Sequence, residues 1–536
     1  MGFAKQLIVP LAFVFPWLKR REALRARWGL PGEGNAAGAS WYFDLTRRLA
    51  GRAAVVDDKT WSDLEFPKLF RTIDTTLTPV GRQYLFAQLR TYEFDPEELQ
   101  RRYHLYQRLQ ANQRLRENVQ LALKPMRVES AAHLADLFLG PEPERVPYHG
   151  LVLPCMLLAI AAVPIAAAHL LPAWLCAIPF CINIFIALRI DVKLKRSVEA
   201  LLDCGRLLDV ANRIARLLPD ITAASAAQGA SEARLRKRLK SQVLGLAWLD
   251  DVRSLQVIGG LIVIADSLFL LKFAIYTFSI DRFLRSRAEW LPTFQLVGAA
   301  DSAIAVANFL KQYPQHCRPT VIPDGVIAIE NGYHALIREP VKNSVRLEHT
   351  CALVTGSNMT GKTTFIKMVA MNIVLGHTLG ICLADQAILP RSPVRALIHG
   401  DQSIEEGKSR YFAEAEAIHA FIDEATSGEC RIFILDEPYS GTNTVERIAV
   451  ARAVLGAIGA SAQVLVTTHD VELQHLLGEN FQLFYFQEDP NVATFFDHKL
   501  HAGASTQRNA IRVLERLGYP AQIISEALAT VAAREP

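Results

Sequence analysis

The stretch that decides the fold reads CALVT-GSNMTGKTT, from Cys351 to Thr364. Its first five residues form an apolar run of strand length. Gly356–Thr363 then fits G-x-x-x-x-G-K-[ST], and an apolar helical pattern continues through Leu379. A strand, a glycine loop and a helix in this order are the context such a motif requires. Gly356 and Gly361 permit backbone angles that turn amides inward around phosphate oxygens. The cradle runs through Gly356, Ser357, Asn358, Met359, Thr360, Gly361, Lys362, Thr363 and Thr364. Lys362 is expected to reach the β- and γ-phosphates of ATP and Thr363 to ligate Mg²⁺, with the helix N-terminus adding positive potential.

Two later strand signals fit this loop. RIFILDEP (Arg431–Pro438) is a buried-strand run ending in two acids, where α/β nucleotide folds carry their sites. Asp436 is expected to hold Mg²⁺ through water, and Glu437 to orient or deprotonate the attacking water. QVLVT (Gln463–Thr467) leads to Thr468-His469-Asp470, and a histidine at that strand end can sense the γ-phosphate. Between them, Asn443 or Thr444 caps a helix with Glu446 in its first turn. Gly441, Thr442, Asn443 and Thr444 also form an anion site that need not serve this chain's own nucleotide. Plain capping and a role towards a second subunit stand level on the residues alone.

Composition adds a different element. The chain has 536 residues, 51% hydrophobic, with Lys+Arg 58 and Asp+Glu 54, a net charge of +4. Disorder is excluded, because it needs low hydrophobicity and high net charge. Eight cysteines with no CxxC pair suggest neither a redox motif nor a zinc knuckle. Mean hydropathy is nevertheless positive, at +0.15. The apolar residues segregate into Leu151–Ile190, which carries no charge before Arg189 and divides near His169–Pro172. A spanning helix needs roughly 20 apolar residues, so this stretch predicts a transmembrane hairpin in a lipid bilayer. Arg189, Lys193, Lys195 and Arg196 mark its cytoplasmic end. Leu7–Leu18 is too short to span and reads as interfacial. Ile258–Ile280 is long enough, but Asp266 and Lys272 would be expensive at mid-membrane.

Together these residues resemble the MutS family of DNA mismatch-repair ATPases. Asn358-Met359 within the loop, GDQSIEEGKSRYFAEA (Gly400–Ala415), Gly441–Thr444, Thr468-His469 and the segment His498–Leu528 all fall in step with it. Leu69–Val119 resembles the start of the family's helical core, and Gly332–Val345 the approach to its ATPase domain. The resemblance implies an α/β P-loop ATPase domain of ABC/MutS type, preceded by an all-α core and lever region that here carries the transmembrane hairpin. It implies ATP and Mg²⁺ as cofactors, a homodimer and DNA as a ligand. It also assigns Gly441–Thr444 to the partner's ATP, and catalysis to Lys362, Glu437 and His469.

Departures qualify the ligand. The residues before Leu69 are apolar and basic and hold no Phe-x-Glu wedge, so no mismatch-reading domain is expected. In the loop, Ser357 and Thr360 stand where well-known members have proline and glycine. The expected organisation is an apolar and basic segment over 1–45, helical core over 46–148, hairpin over 149–192, second core and lever part over 193–318, and ATPase domain over 319–536. An even number of spans keeps both core parts with a cytoplasmic ATPase domain, so Ile258–Ile280 is expected to be a core or interfacial helix with Asp266 and Lys272 on its wet side. The expected protein is a multi-pass membrane ATPase that handles DNA. Its alternative is an ATP-driven membrane switch acting on a protein partner without DNA.

Overall fold

The computed structural model describes residues 16–32, 37–47, 55–144, 149–189, 192–222, 234–239, 268–323, 325–357, 360–398, 410–488, 496–504 and 518–532. Asn358, Met359, Asp266, most of Leu7–Leu18 and the first part of Gly400–Ala415 lie outside them. The chain divides into two compact units, one of residues 1–49, 71–87 and 105–312, the other of 50–70, 88–104 and 313–536. Residues 46–148 are thus shared between the units, and 50–70 and 88–104 fall with residues 313–536.

The first unit is helical. Its main helices are α1 (Gln113–Leu123), α2 (His149–Ala167), α3 (Ala173–Arg189), α4 (Val192–Leu217), α5 (Leu271–Arg285) and α6 (Leu291–Gln312). The segment Arg287–Gln312, which contains α6, is long and apolar enough to cross a membrane, yet 89% of its apolar 18-residue stretch is buried. It is the core helix of this unit and packs along α4. Within it, Asp301 is fully buried and accepts hydrogen bonds from the Leu77 and Thr78 amides and the Thr78 hydroxyl. Thr78 Oγ1 in turn accepts from Gly81 N at 2.9 Å, capping the Pro79–Arg90 helix. The basic run after Leu18 forms the Pro16–Arg27 helix, and Arg21 and Arg25 pair with Glu117 of α1 at 2.9 and 2.7 Å.

The hairpin α2–α3 differs from everything around it. Its two helices pack on each other, and at 19 and 17 residues they measure about 28 and 26 Å. Pro154, Pro164 and Pro179 sit inside them. Leu158, Leu170, Trp174 and Leu188 are exposed, Trp174 by 67% and Leu188 by 75%. The expected helix over Ile258–Ile280 is corrected in its described part. Leu270 takes a left-handed φ of 52°, which an α-helix cannot continue through. The α5 helix therefore starts at Leu271, runs past Ile280 to Arg285 and buries Phe273, Tyr276 and Phe283.

The second unit is an α/β domain with two sheets. Its strands are β1 (Thr320–Ile322), β2 (Val326–Gly332), β3 (Asn343–Glu348), β4 (Cys351–Thr355), β5 (Gln386–Pro390), β6 (Val394–Leu397), β7 (Ile432–Asp436), β8 (Gln463–Thr468), β9 (Phe481–Glu488) and β10 (Phe496–Ala502). The larger sheet has the order β10-β9-β4-β8-β7-β6 and is parallel except at β10; the smaller has the order β1-β5-β2-β3. Every residue of β4, β7 and β8 is buried, as continuous apolar runs require when helices cover both faces. The covering helices include α7 (Lys362–Thr378), α8 (Arg410–Ser427) and α9 (Thr444–Gly459). Leu353, Phe433, Val464, Ile418 and Leu455 form the core between α8, α9 and the sheet.

Candidate active site

Strand order assembles the site. β8 lies between β4 and β7, with Thr355 opposite Thr468 and Asp436 opposite Thr467. The carboxyl ends of three adjacent strands therefore deliver the glycine loop, Asp436-Glu437 and His469 to one place. The described loop residues run Gly356, Ser357, Thr360 and on into α7. Gly356 (φ 149°) and Gly361 (φ 111°) both take angles that favour glycine. A Cβ on Gly356 would come within 2.9 Å of the Phe486 carbonyl oxygen, so this position has no room for a side chain.

Lys362 is only 4% exposed, and its ammonium donates to the carbonyls of Gly356 at 2.6 Å and Ser357 at 3.0 Å. Burial pulls its pKa down, while Glu437, 3.6 Å from Nζ, and Asp436 oppose that shift. Thr363 Oγ1 donates to Asp436 Oδ2 at 2.9 Å, and the Thr467 hydroxyl donates to Oδ1. This pair of hard oxygen donors suits Mg²⁺, which prefers a carboxylate and waters to an all-protein cage.

Glu437 sits just past β7 with a strained φ of 47°, its amide donating to the Thr467 carbonyl. Its carboxylate lies 3.5 Å from His469 Nδ1. The pairing holds Glu437 below the usual carboxylate range, His469 being the main cause, and raises His469. Arg447 grips Asp470 through two bonds of 2.6 and 2.8 Å and brings Nη2 to 3.5 Å from His469 Nε2. Lys362, Thr363, Asp436, Glu437 and His469 thus meet.

A cleft of 380 Å³ opens beside them, lined by Lys362, Thr363, Glu437, His334, Asn343 and His498 among others. His498, Asn343 and His334 carry no site role in the sequence reading. His498 Nδ1 lies 3.0 Å from the Thr360 carbonyl, and Asn343 exchanges bonds with the backbone of His498 and Leu500. Burial lowers His334 to about 4, so it is neutral at physiological pH. Their segments, Gly332–Val345 and His498–Leu528, were legible only as family-like flanks; their approach to the loop depends on strand pairing.

Gly441, Thr442, Asn443 and Thr444 do not line this cleft among the described residues. Asn443 caps α9 by accepting from Glu446 N at 3.0 Å. Next to it Val445 is 80% exposed. Glu414 of α8 accepts from the Tyr439 amide and so fixes the turn after Glu437.

Residues 352–534 match the family model for MutS domain V. The DNA mismatch repair protein MutS of Natronomonas pharaonis is 30% identical over 249 residues, 44% of this chain and 28% of that protein. That of Carboxydothermus hydrogenoformans is 26% identical over 270 residues, 46% and 32% respectively, and that of Thermus aquaticus 28% over 213, 39% and 26%. These alignments span roughly a quarter to a third of each relative's length. Its nucleotide motifs stand on three adjacent strand ends, and the part of the chain that carries them is similar to MutS domain V.

Proposed function

We propose that this protein is a membrane-anchored ATPase of the MutS type that works as a dimer on DNA. The observation that carries the reading is the convergence of Lys362, Thr363, Asp436, Glu437 and His469 beside a nucleotide-sized cleft. The triphosphate would lie along the loop, with the base towards His334 and His498. Thr363 and Asp436 would hold Mg²⁺, which supplies charge neutralisation on the phosphates. Glu437 takes a proton from the attacking water as its oxygen bonds to the γ-phosphorus and the bond to the bridging oxygen breaks. Lys362 stabilises charge on the transferring group, and His469 holds Glu437 ionised. Gly441, Asn443 and Thr444, exposed, and the half-buried Thr442 lie outside the cleft and suit a partner subunit's nucleotide.

The hairpin supports the membrane reading. One helix of spanning length, Gly150–Ala167, and a shorter apolar one, Ala173–Leu188, present leucine, isoleucine and tryptophan outward, which water would penalise and hydrocarbon would not. DNA enters through the relatives, which are DNA mismatch repair proteins. A second reading, a membrane switch acting on a protein partner, is favoured by the hairpin standing within the helical unit. ATPase activity of the vesicle-reconstituted chain, measured across DNA forms and salt concentrations, separates the two. DNA stimulation that falls steeply with salt is expected. Turnover indifferent to every DNA at low salt would leave the switch.

A further inference from the structure

The α3 helix carries one carboxamide, Asn183, placed about 9 Å short of Arg189 at the basic end of the hairpin. Asn183 is fully buried, and its Nδ2 donates at 2.6 Å to the carbonyl of Leu268, a residue outside the hairpin. One turn earlier on α3, Phe180 meets the half-buried Phe269 edge to face, with ring centroids 5.5 Å apart. Leu268 and Phe269 end a helical turn, and Leu270, with its left-handed φ of 52°, separates that turn from α5. From there α5 packs along α2, and the Tyr276 hydroxyl donates at 3.0 Å to the carbonyl of Glu144, just before α2 begins. The chain therefore runs from the depth of Asn183 to the root of the hairpin.

We propose that Leu268 and Phe269 belong to a third membrane-embedded element, which lies beside the hairpin in contact with lipid acyl chains and leaves the hydrocarbon along α5. The proposal rests on the membrane reading above and extends it to residues beyond the hairpin. If α3 spans the bilayer, a residue bonded to Asn183 lies within the apolar layer, because Asn183 is itself well inside it. The chemistry of the contact fits that depth. A helix end leaves its last carbonyls short of intrahelical donors, and hydrocarbon offers no water to replace them. Asn183 supplies a donor from the neighbouring helix, and the bond also satisfies part of a carboxamide that would be costly to leave unpaired in lipid. Leucine and phenylalanine at 268 and 269 suit acyl chains on the side that α3 does not cover.

The test places the photoreactive residue p-benzoylphenylalanine, which inserts into nearby C–H bonds, in the full chain reconstituted in phosphatidylcholine vesicles. It replaces Phe269 or, in a separate variant, Leu268, so that one poorly folded variant does not decide the matter. Leu158, exposed on α2, and Leu476, exposed in the α/β unit, serve as reference positions. After irradiation, phosphatidylcholine adducts are counted by mass spectrometry of protein that floats with the vesicles. Adducts at 268 or 269 are expected within about threefold of those at 158, and at least about tenfold above those at 476. Adducts at 158 with none above the level of 476 at both 268 and 269 overturn the third element and leave the membrane reading standing. Adducts at none of these positions, or protein that does not float, overturn the membrane reading and the third element with it.

Discussion

At the glycine loop, each polar side chain has a distinct part in the proposed chemistry, and substitutions should separate them. Lys362→Ala removes the buried cation and should abolish nucleotide binding in a fluorescent-nucleotide titration. His469 is the main reason Glu437 lies below the usual carboxylate range. Below that lowered value the base is protonated and inactive; above it, the base is ready. His469→Ala should therefore move the acid limb of the pH–rate profile upward, at reduced kcat. An unmoved limb would detach His469 from the base. Most of these residues were legible in sequence because each follows an apolar strand run: Thr355 leads into the loop, Leu435 into Asp436-Glu437 and Thr467 into His469. His498 and Arg447 were not. His498 reaches the loop only through the pairing of β10 with β9 and its clasp by Asn343. Arg447 acts through Asp470, across from another helix.

Among the helices and strands, legibility followed burial. β4, β7 and β8 are covered on both faces and read as unbroken apolar runs. β1 and β6 have three and four residues, too few for any periodicity to declare itself. The α6 helix passes every compositional test for a membrane span but is a core helix, its length buried by neighbours. Hydropathy alone cannot separate that case from the hairpin; exposure can. Asp301 of α6 bonds the start of the Pro79–Arg90 helix, so Asp301→Ala should strand the two buried donors of Thr78 and the half-buried Leu77 amide. We expect a loss of about 2–3 kcal/mol in chemical denaturation. Gly81→Ala would place its Cβ 2.2 Å from Asp301 Oδ2 and should destabilise by about 1–3 kcal/mol. Both effects should be read on the helical unit, with ATP binding retained.

For the protein as a whole, two features stand out in the sequence, the glycine loop with its acidic strand end and the apolar hairpin, and they fall in separate compact units. If the hairpin spans the bilayer, the chain should resist alkaline extraction from membranes. Leu157→Arg with Leu158→Arg on its exposed face should release it, with ATP hydrolysis surviving in solution. Each arginine adds roughly 2.5–3.5 kcal/mol near mid-membrane, enough together to reverse insertion. The most direct test of the motor itself is one measurement on vesicle-reconstituted protein: ATP binding and single-turnover hydrolysis by Glu437→Gln beside wild type. Wild-type turnover with a variant that binds ATP equally well but hydrolyses it at least 100-fold more slowly is the expected result. Equal hydrolysis by the two proteins would contradict the assignment of Glu437 as the base.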